Sequence, residues 1–221
     1  MDAVAIRPPP TRGAATRDAL LDAAETLIAD HGYRAPSHRM IAAEAGAHVA
    51  LVNYHFGSKE MLFEAAVERR SRRLVGAWQD ALSDARGDPD HTTDDVLRAW
   101  WRPFDDMERS DEPAWRNYLC VIARLSSAPE GNEWYERYFG SVDRDFQRAL
   151  GDTLAVHDTE LTDVTFRYAR TLFGEVLLHR CGKSGGKAVP RGFRPHDTER
   201  LIGFVAAGMR GISHHATAAA D

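Results

Sequence analysis

The sequence predicts an all-α protein: an N-terminal helix-turn-helix head of three helices, followed by a C-terminal helical bundle. Apolar residues recur at helical spacing in one segment after another. Two early segments are short and are separated by a glycine, whereas all five tryptophans lie at or beyond Trp78. With 221 residues, 43% of them hydrophobic, the chain is long enough to bury a substantial core.

The first helix is predicted from Thr16 to His31, with Gly32 as its stop. One stripe of the segment is apolar, and its members are Leu20, Ala23, Ala24, Leu27 and Ile28. Residues 1–15 carry three prolines with Arg7 and Arg12, and Arg17 follows just beyond them, which together predict a flexible basic arm.

Two short helices follow the first. Ser37 is placed to cap a helix of about two turns that stops at Gly46, and a second short helix spans about Ala47 to His55. Ser58 then caps a long helix. Two short helices around a glycine-containing turn are typical of the helix-turn-helix motif, so we place the head at residues 16–62.

Three aromatic-rich helices are predicted in the body, starting near Thr93, Pro113 and Pro129. Aromatic residues at helical spacing more often form plain core than a ligand pocket, yet this density also suits an apolar pocket. Both interpretations stay open. The candidate ligand-binding residues are Trp100, Trp101, Phe104, Trp115, Leu119, Ile122, Trp134, Tyr138, Phe166 and Phe173.

The last two helices, Asp163–Arg180 and Asp197–His214, carry an apolar surface too broad for one side of a bundle, which indicates a partner. The second of them is rich in small residues that allow close helix approach. These are Gly203, Ala206, Ala207, Gly208 and Gly211. A Gly- and Lys-rich connection, 182–195, joins the two helices, and we place the body at 63–215 and a disordered tail at 216–221.

Composition excludes several classes of protein. No apolar run approaches the roughly 20 residues of a membrane span, and no signal peptide is evident, so we expect a cytoplasmic protein without a membrane partner. Cys120 and Cys181 have no ligand spacing and are expected to be buried free thiols, with no metal site. No HExxH pattern occurs, so we predict no enzyme activity and no cofactor.

Charge is divided unevenly along the chain. Up to Arg73 there are 10 Lys and Arg against 9 Asp and Glu, and beyond it 18 against 24. A near-neutral head therefore precedes an acidic body. The head ends in a basic cluster, which is Arg69, Arg70, Arg72 and Arg73.

The stretch Thr16–Ala66 resembles the DNA-binding head of TetR-family transcriptional repressors. The matching residues are Ala23-Ala24, Leu27, Gly32-Tyr33, Ile41-Ala42, Ala45-Gly46, Tyr54-His55-Phe56 and Ser58-Lys59-Glu60. The resemblance implies a homodimeric repressor that binds a palindromic double-stranded operator and releases it when a small hydrophobic effector binds the body. It also implies a dimer interface made by the last two helices.

A weaker resemblance links the chain to the PsrA-like, fatty-acid-responsive subgroup of that family. It rests on VNYHFGSK, residues 52–59, and on AAGMR, residues 206–210. It implies a fatty acyl effector, but an aromatic molecule would suit the same pocket between the aromatic-rich helices. An effector among Trp101, Trp115 and Tyr138 is expected to displace the end of the long fourth helix.

Candidate DNA contacts follow from side-chain chemistry and from the resemblance. Arg39 suits guanine, Asn53 suits adenine, and the methyl groups of the reading helix suit thymine. Val52 is expected to pack inside the head. Leu51 is equally suited to packing there and to contacting DNA. The candidate DNA-binding residues are Ser37, His38, Arg39, His48, Val49, Ala50, Asn53, Tyr54, His55 and Lys59.

A second function remains compatible with the pattern. An all-α small-molecule carrier or enzyme could use the helix-turn-helix only as a packing motif. Tyr54, His55 and Lys59 argue against this alternative, because packing does not require polar residues at those positions.

Overall fold

The computed structural model describes residues 12–110, 112, 114–127, 132–156, 158–180 and 195–218, and these residues fold into helices without a strand. The predicted all-α class is confirmed. Over the described residues the helices are α1 Arg12–His31, α2 His38–Glu44, α3 Val49–Phe56, α4 Lys59–Arg86, α5 Thr93–Glu108, α6 Ala114–Ser127, α7 Asn132–Leu154, α8 Thr159–Arg180 and α9 Pro195–Ala218.

Helix α1 begins one turn earlier than the sequence predicted. Residues 12–15 are helical, which corrects their assignment to a flexible arm, and the Thr16 hydroxyl donates to the Arg12 carbonyl at 3.0 Å within this added turn. Residues 1–11 of the predicted arm lie outside the described residues. The predicted stop is confirmed, because Gly32 has a φ of +78°, a left-handed conformation that favours glycine.

The helix-turn-helix is formed by α2 and α3. The Ser37 hydroxyl caps α2 by accepting from the Met40 amide at 3.3 Å, as its position predicted. Gly46 takes a φ of +62° in the turn. Helix α3 begins at Val49 rather than at Ala47, because His48 is extended and forms the N-cap.

Helix α4 joins the head to the body. Its N-cap Ser58 accepts from the Met61 amide at 3.2 Å. The helix runs without interruption through the predicted boundary at residues 62 and 63, so head and body share it. Its inner face carries apolar residues that are all buried: Leu62, Phe63, Ala66, Val67, Leu74 and Trp78.

The body packs α5 to α9 around an aromatic core that also receives α4. Thr92 and Asp95 form a reciprocal capping box at the start of α5. At the centre, the Trp78 indole donates to the Trp100 carbonyl at 2.8 Å, and the two rings stack with centroids 5.9 Å apart. The aromatic-rich helices therefore form one continuous core.

The last two helices extend beyond their predicted ends. Helix α8 starts at Thr159 rather than Asp163, because the Asp158 carboxylate accepts from the Glu160 amide at 2.9 Å and caps the helix there. Helix α9 reaches Ala218, so residues 216–218 are helical rather than part of a disordered tail. Most of the predicted connection 182–195 lies outside the described residues.

Cys120 corrects an expectation about the cysteines. Its side chain is fully buried beside Ala29 of α1 and is disulfide-bonded, not a free thiol. Cys181, the only other cysteine in the sequence, lies outside the described residues.

None of the helices in the described ranges combines the length and the apolar character needed to cross a membrane.

Candidate nucleic-acid interface and effector site

One face of α3 is free of packing contacts. Val52 and Phe56 point into the head and are buried, which confirms the inward placement of Val52, and Leu51 is half-buried against the same core. Tyr54 is 81% exposed. The exposed residues of the opposite face, with the N-cap, are His48, Val49, Ala50, Asn53 and Tyr54.

The start of α2 adds an arginine beside this helix. Arg39 is exposed and has no ion-pair partner among the described residues, Glu44 included, so its guanidinium is available for a base or a phosphate. Ser37 already uses its hydroxyl as a helix cap. His38 is half-buried, and its Nε2 is shielded from solvent without a partner, so it is less accessible than Arg39.

Lys59 has an internal contact that the sequence did not suggest. Its ammonium donates to the Arg34 carbonyl at 2.9 Å and lies 5.3 Å from the ring centroids of Tyr33 and Phe63. The side chain thereby ties the loop between α1 and α2 to the start of α4. An ammonium has three N–H donors, so this contact leaves others for a phosphate.

His55 and Arg17 flank the end of α3. The half-buried His55 ring lies 5.0 Å from the Tyr54 ring, edge to face. The exposed Arg17 of α1 places its guanidinium 5.1 Å from the Phe56 ring centroid. Sequence reasoning counted Arg17 with the basic arm, because nothing in the local pattern brings residue 17 next to residue 56.

Helix α6 is bonded directly to the head. The Asn117 amide donates to the Thr26 hydroxyl at 3.0 Å, and the Arg124 guanidinium donates to the Ala29 carbonyl at 3.1 Å. Helix α7 adds a ring contact to the head, with the centroids of Tyr33 and Trp134 5.2 Å apart. Helix α6 is therefore tied to α1 by two side-chain hydrogen bonds.

Part of the predicted basic cluster serves this junction instead of DNA. Arg69 and Arg70 lie beside Glu25 of α1, whose side chain is buried, at 3.7 and 3.5 Å. Burial raises the pKa of Glu25 from 4.5 to about 7, although Arg70 and Arg69 lower it in part. Arg73 pairs with Glu112 at 2.7 Å.

The raised pKa of Glu25 predicts a pH dependence of stability. The folded state holds this proton to higher pH than the unfolded state, so the stabilisation is complete below pH 4.5 and is lost as pH rises through about 7. The difference between the pKa of Glu25 in the folded state and in the unfolded state corresponds to roughly 3 kcal/mol in the free energy of unfolding. Urea denaturation at pH 5 and 8 should show this loss in the wild type but not in Glu25→Gln.

A control variant tests whether the pH dependence comes from the burial of Glu25 and not from the loss of any carboxylate. Glu68→Gln removes an exposed carboxylate of α4, and its stability profile between pH 5 and 8 should follow the wild type. Parallel profiles for the wild type and Glu25→Gln would mean that Arg69 and Arg70 keep Glu25 ionised in the folded protein.

The candidate effector residues fall into two groups. Six of them are close to one another, and four of these line a narrow cavity of about 10 Å³ between α5, α6, α7 and α8. Trp100, Phe104, Ile122 and Phe173 line that cavity, and Phe166 lies 6.1 Å from Trp100 by ring centroids. Trp101 packs beside them, 5.3 Å from Phe173.

The remaining candidates lie elsewhere in the core. Trp115 stacks under Arg73 of α4 at 5.0 Å, and the Tyr138 hydroxyl donates to Glu64 of α4 at 3.3 Å. Trp101, Trp115 and Tyr138 therefore do not share one cavity. Trp134 contacts the head, and Leu119 is buried in the general core.

Polar residues at the cavity were missed by sequence reasoning. Arg170 of α8 lines the cavity and pairs with the buried Asp143 at 2.9 Å. The Tyr135 hydroxyl lies 3.4 Å from the same carboxylate, and the Tyr135 ring lies 4.4 Å from the Arg170 guanidinium. Burial raises the pKa of Asp143 to about 6, partly offset by Arg170.

The head matches a known family. Residues 20–66 match the model for bacterial regulatory proteins of the tetR family. This segment runs from α1 through the helix-turn-helix into the start of α4, so the match lies in the head.

Similar curated proteins are transcriptional regulators. The HTH-type transcriptional regulator BetI of Rhizobium meliloti is 32% identical over 125 residues, which cover 49% of this chain and 59% of that protein. The HTH-type transcriptional repressor KstR2 of Mycolicibacterium smegmatis is 37% identical over 76 residues, covering 34% and 37%. The matches thus span little more than half of these relatives or less.

Solved structures share the whole fold. A TetR-like transcriptional regulator from Rhodococcus sp. RHA1 has a TM-score of 0.55 at 19% identity, over 95% of this chain and 99% of that one. The fatty acid degradation regulator FadR from Bacillus halodurans has a TM-score of 0.54 at 19% identity, over 92% and 96%. At these identities the likeness extends to the fold alone.

Proposed function

We propose that this protein is a ligand-responsive, DNA-binding transcriptional repressor of the TetR type. The observation that carries the proposal is the exposed face of α3, where side chains suited to base reading and phosphate binding lie together without a packing role. The names of two similar proteins, a regulator and a repressor, support the same function. A carrier or enzyme would have no need for Asn53 and Tyr54 to face solvent.

The repressor acts as a homodimer through α8 and α9. Among the described side chains of these helices, four large apolar ones are exposed, including Phe204 at 69% and Tyr168 at 60%. The others are Leu172 and Ile212. A second copy of the chain would cover them, and two-fold symmetry would present two α3 helices to successive major grooves, about 34 Å apart.

Effector binding lowers the affinity for DNA by moving α6. Ile122 and Ser126 of this helix line the aromatic cavity, and Asn117 and Arg124 of the same helix bond to α1. The cavity is too small for an effector as it stands, so a bound molecule must separate the helices around it. Release follows if the effector binds the DNA-incompetent arrangement more tightly.

Binding-site selection from random duplex DNA tests the function. A repressor should enrich one palindrome whose half-site centres lie one helical turn apart. Fluorescence anisotropy should then show the selected duplex binding at least about 1000-fold more tightly than a scrambled one. Failure to enrich any sequence would favour a carrier or an enzyme.

Lys59→Ala is expected to weaken binding to every DNA sequence about equally. A phosphate contact releases counterions, so the slope of log affinity against log salt should fall by roughly one ion per head. The measurement is anisotropy at several salt concentrations. Stability should also fall by about 1 kcal/mol, because the bond to the Arg34 carbonyl is lost.

Arg72→Ala serves as the control for Lys59. It removes one cation from the same helix, about 20 Å further along α4, and its salt slope should match the wild type. A slope that is unchanged in Lys59→Ala would leave that residue only its internal role.

A further inference from the structure

Two residues that line the aromatic cavity each carry a buried N–H donor without an acceptor among the described residues. The donors are the indole Nε1 of Trp100, a residue only 3% exposed, and the Nε of Arg170. Buried donors are paired in the great majority of cases, because an unpaired one has lost its water without replacement. Two such donors on residues of one cavity are suited to a ligand that carries an acceptor group.

Both residues line the same cavity, and most of its remaining wall is apolar. Phe104, Phe173 and Leu177 contribute aromatic and aliphatic surface. A molecule that fits this wall therefore combines an apolar body with an acceptor group at one end.

Arg170 also lines a polar cleft of about 400 Å³ on the other side. In the cleft, Arg144 pairs with Glu136 and Arg167 pairs with Asp163. Arg170 thus lines both the polar cleft and the apolar cavity, and it is held by the carboxylate of Asp143.

We propose that the effector is an apolar monocarboxylate whose carboxylate binds Arg170 and Trp100. The apolar part extends between Trp100, Phe104 and Phe173, and the Arg170 guanidinium is shared with or transferred from Asp143. This inference rests on the proposed function, since it names the class of molecule that the effector site accepts.

The donor chemistry favours a carboxylate over other apolar molecules. A carboxylate accepts from both the indole and the guanidinium, and such charge-assisted bonds are stronger than neutral ones. A neutral hydrocarbon would leave both donors unpaired. A cation would face the Arg170 guanidinium directly, although Asp143 lies beyond it.

Calorimetric titration of the full chain with matched octyl compounds tests the inference without DNA. Octanoate should bind at least about tenfold more tightly than octan-1-ol or octyltrimethylammonium. The aryl acid 4-phenylbutyrate distinguishes an aromatic body from an alkyl one. Equal affinity for octanoate and octanol, or tighter binding of the cation, would overturn the proposal.

Two variants test whether Arg170 and Trp100 are the donors that bind the carboxylate. Arg170→Met should reduce octanoate affinity to that of octanol, while Arg144→Met, in the same cleft, should not. Trp100→Phe keeps an aromatic ring but lacks the N–H, and it should weaken octanoate about fivefold or more without changing octanol. If Arg170→Met does not fold, Trp100→Phe decides, and an unchanged octanoate affinity in that variant contradicts the proposal.

The outcomes separate this inference from the proposed function. A protein that selects an operator but shows no carboxylate preference would remain a repressor with a different effector. A carboxylate preference that depends on Arg170, in a protein that selects no DNA, would keep the site and remove the repressor function.

Discussion

Gly208→Leu is expected to convert the dimer into a folded monomer. Gly208 is exposed on α9, and a Cβ placed there meets no atom of its own protomer within 4 Å. It lies between the exposed Phe204 and Ile212, on the face that we assign to the partner. A leucine at this position therefore obstructs the second copy and nothing else.

The expected effect is large because two-fold symmetry repeats the substitution. Overpacking costs roughly 1 to 3 kcal/mol at one site, hence about 2 to 6 kcal/mol for an interface that contains Gly208 twice. Sedimentation velocity should show the monomer at concentrations where the wild type is dimeric. Affinity for the palindrome should fall with it, since each head alone contacts only one half-site.

Gly76→Leu provides the matched control. Gly76 is also a helix-interior glycine whose added Cβ would meet nothing within 4 Å, but it lies on α4. Both changes favour the helical state, because leucine has the higher helix propensity, so circular dichroism should show intact folding in each. An intact Gly208→Leu dimer would place the interface on another surface.

Helix ends were predictable where one side chain satisfies the local backbone. Ser37 and Ser58 each accept from an amide three residues on, so their position in the sequence was enough. The start of α8 was missed although Asp158 caps it in a similar way, because the apolar pattern becomes clear only later in the helix. Local chemistry thus determines these boundaries, and periodicity alone does not.

The candidate sites were predictable only in part, because they depend on contacts between distant residues. Spacing identified the aromatic residues of the body, but it could not reveal that Trp134 contacts Tyr33 in the head. It also could not bring Arg170 to Asp143, which lies on another helix. The exposed face of α3 was easier, since Val52 and Phe56 define its buried side by helical spacing alone.

The route from effector to DNA changes once these contacts are known. Sequence reasoning assigned the movement to the end of α4, guided by Trp101, Trp115 and Tyr138. The bonds from Asn117 and Arg124 to α1 instead favour α6 as the element that shifts the head. Helix α4 remains the covalent connection between head and body.

Arg39→Ala and Asn53→Ala are expected to reduce sequence discrimination more than affinity for DNA in general. Both side chains are exposed, one at the start of α2 and the other on α3. Arginine pairs with guanine through two donors, and asparagine pairs with adenine through a donor and an acceptor. Each variant should therefore lose roughly 1 to 3 kcal/mol per half-site on the selected palindrome and nearly keep its non-specific affinity.

Glu44→Ala is the control for these two variants. It removes an exposed carboxylate from α2, so it should strengthen binding to all sequences alike by reducing repulsion from phosphates, with no change in the preferred sequence.

Binding-site selection followed by sequencing decides the assignment of the base-reading residues. Each variant should lose its preference at one base pair per half-site and retain it at the others, because a single side chain reads a single base edge. The relaxed position should be a guanine for Arg39→Ala and an adenine for Asn53→Ala. If both variants select the parental palindrome, the reading role passes to His48, Val49 and Leu51, or to the shape of the DNA.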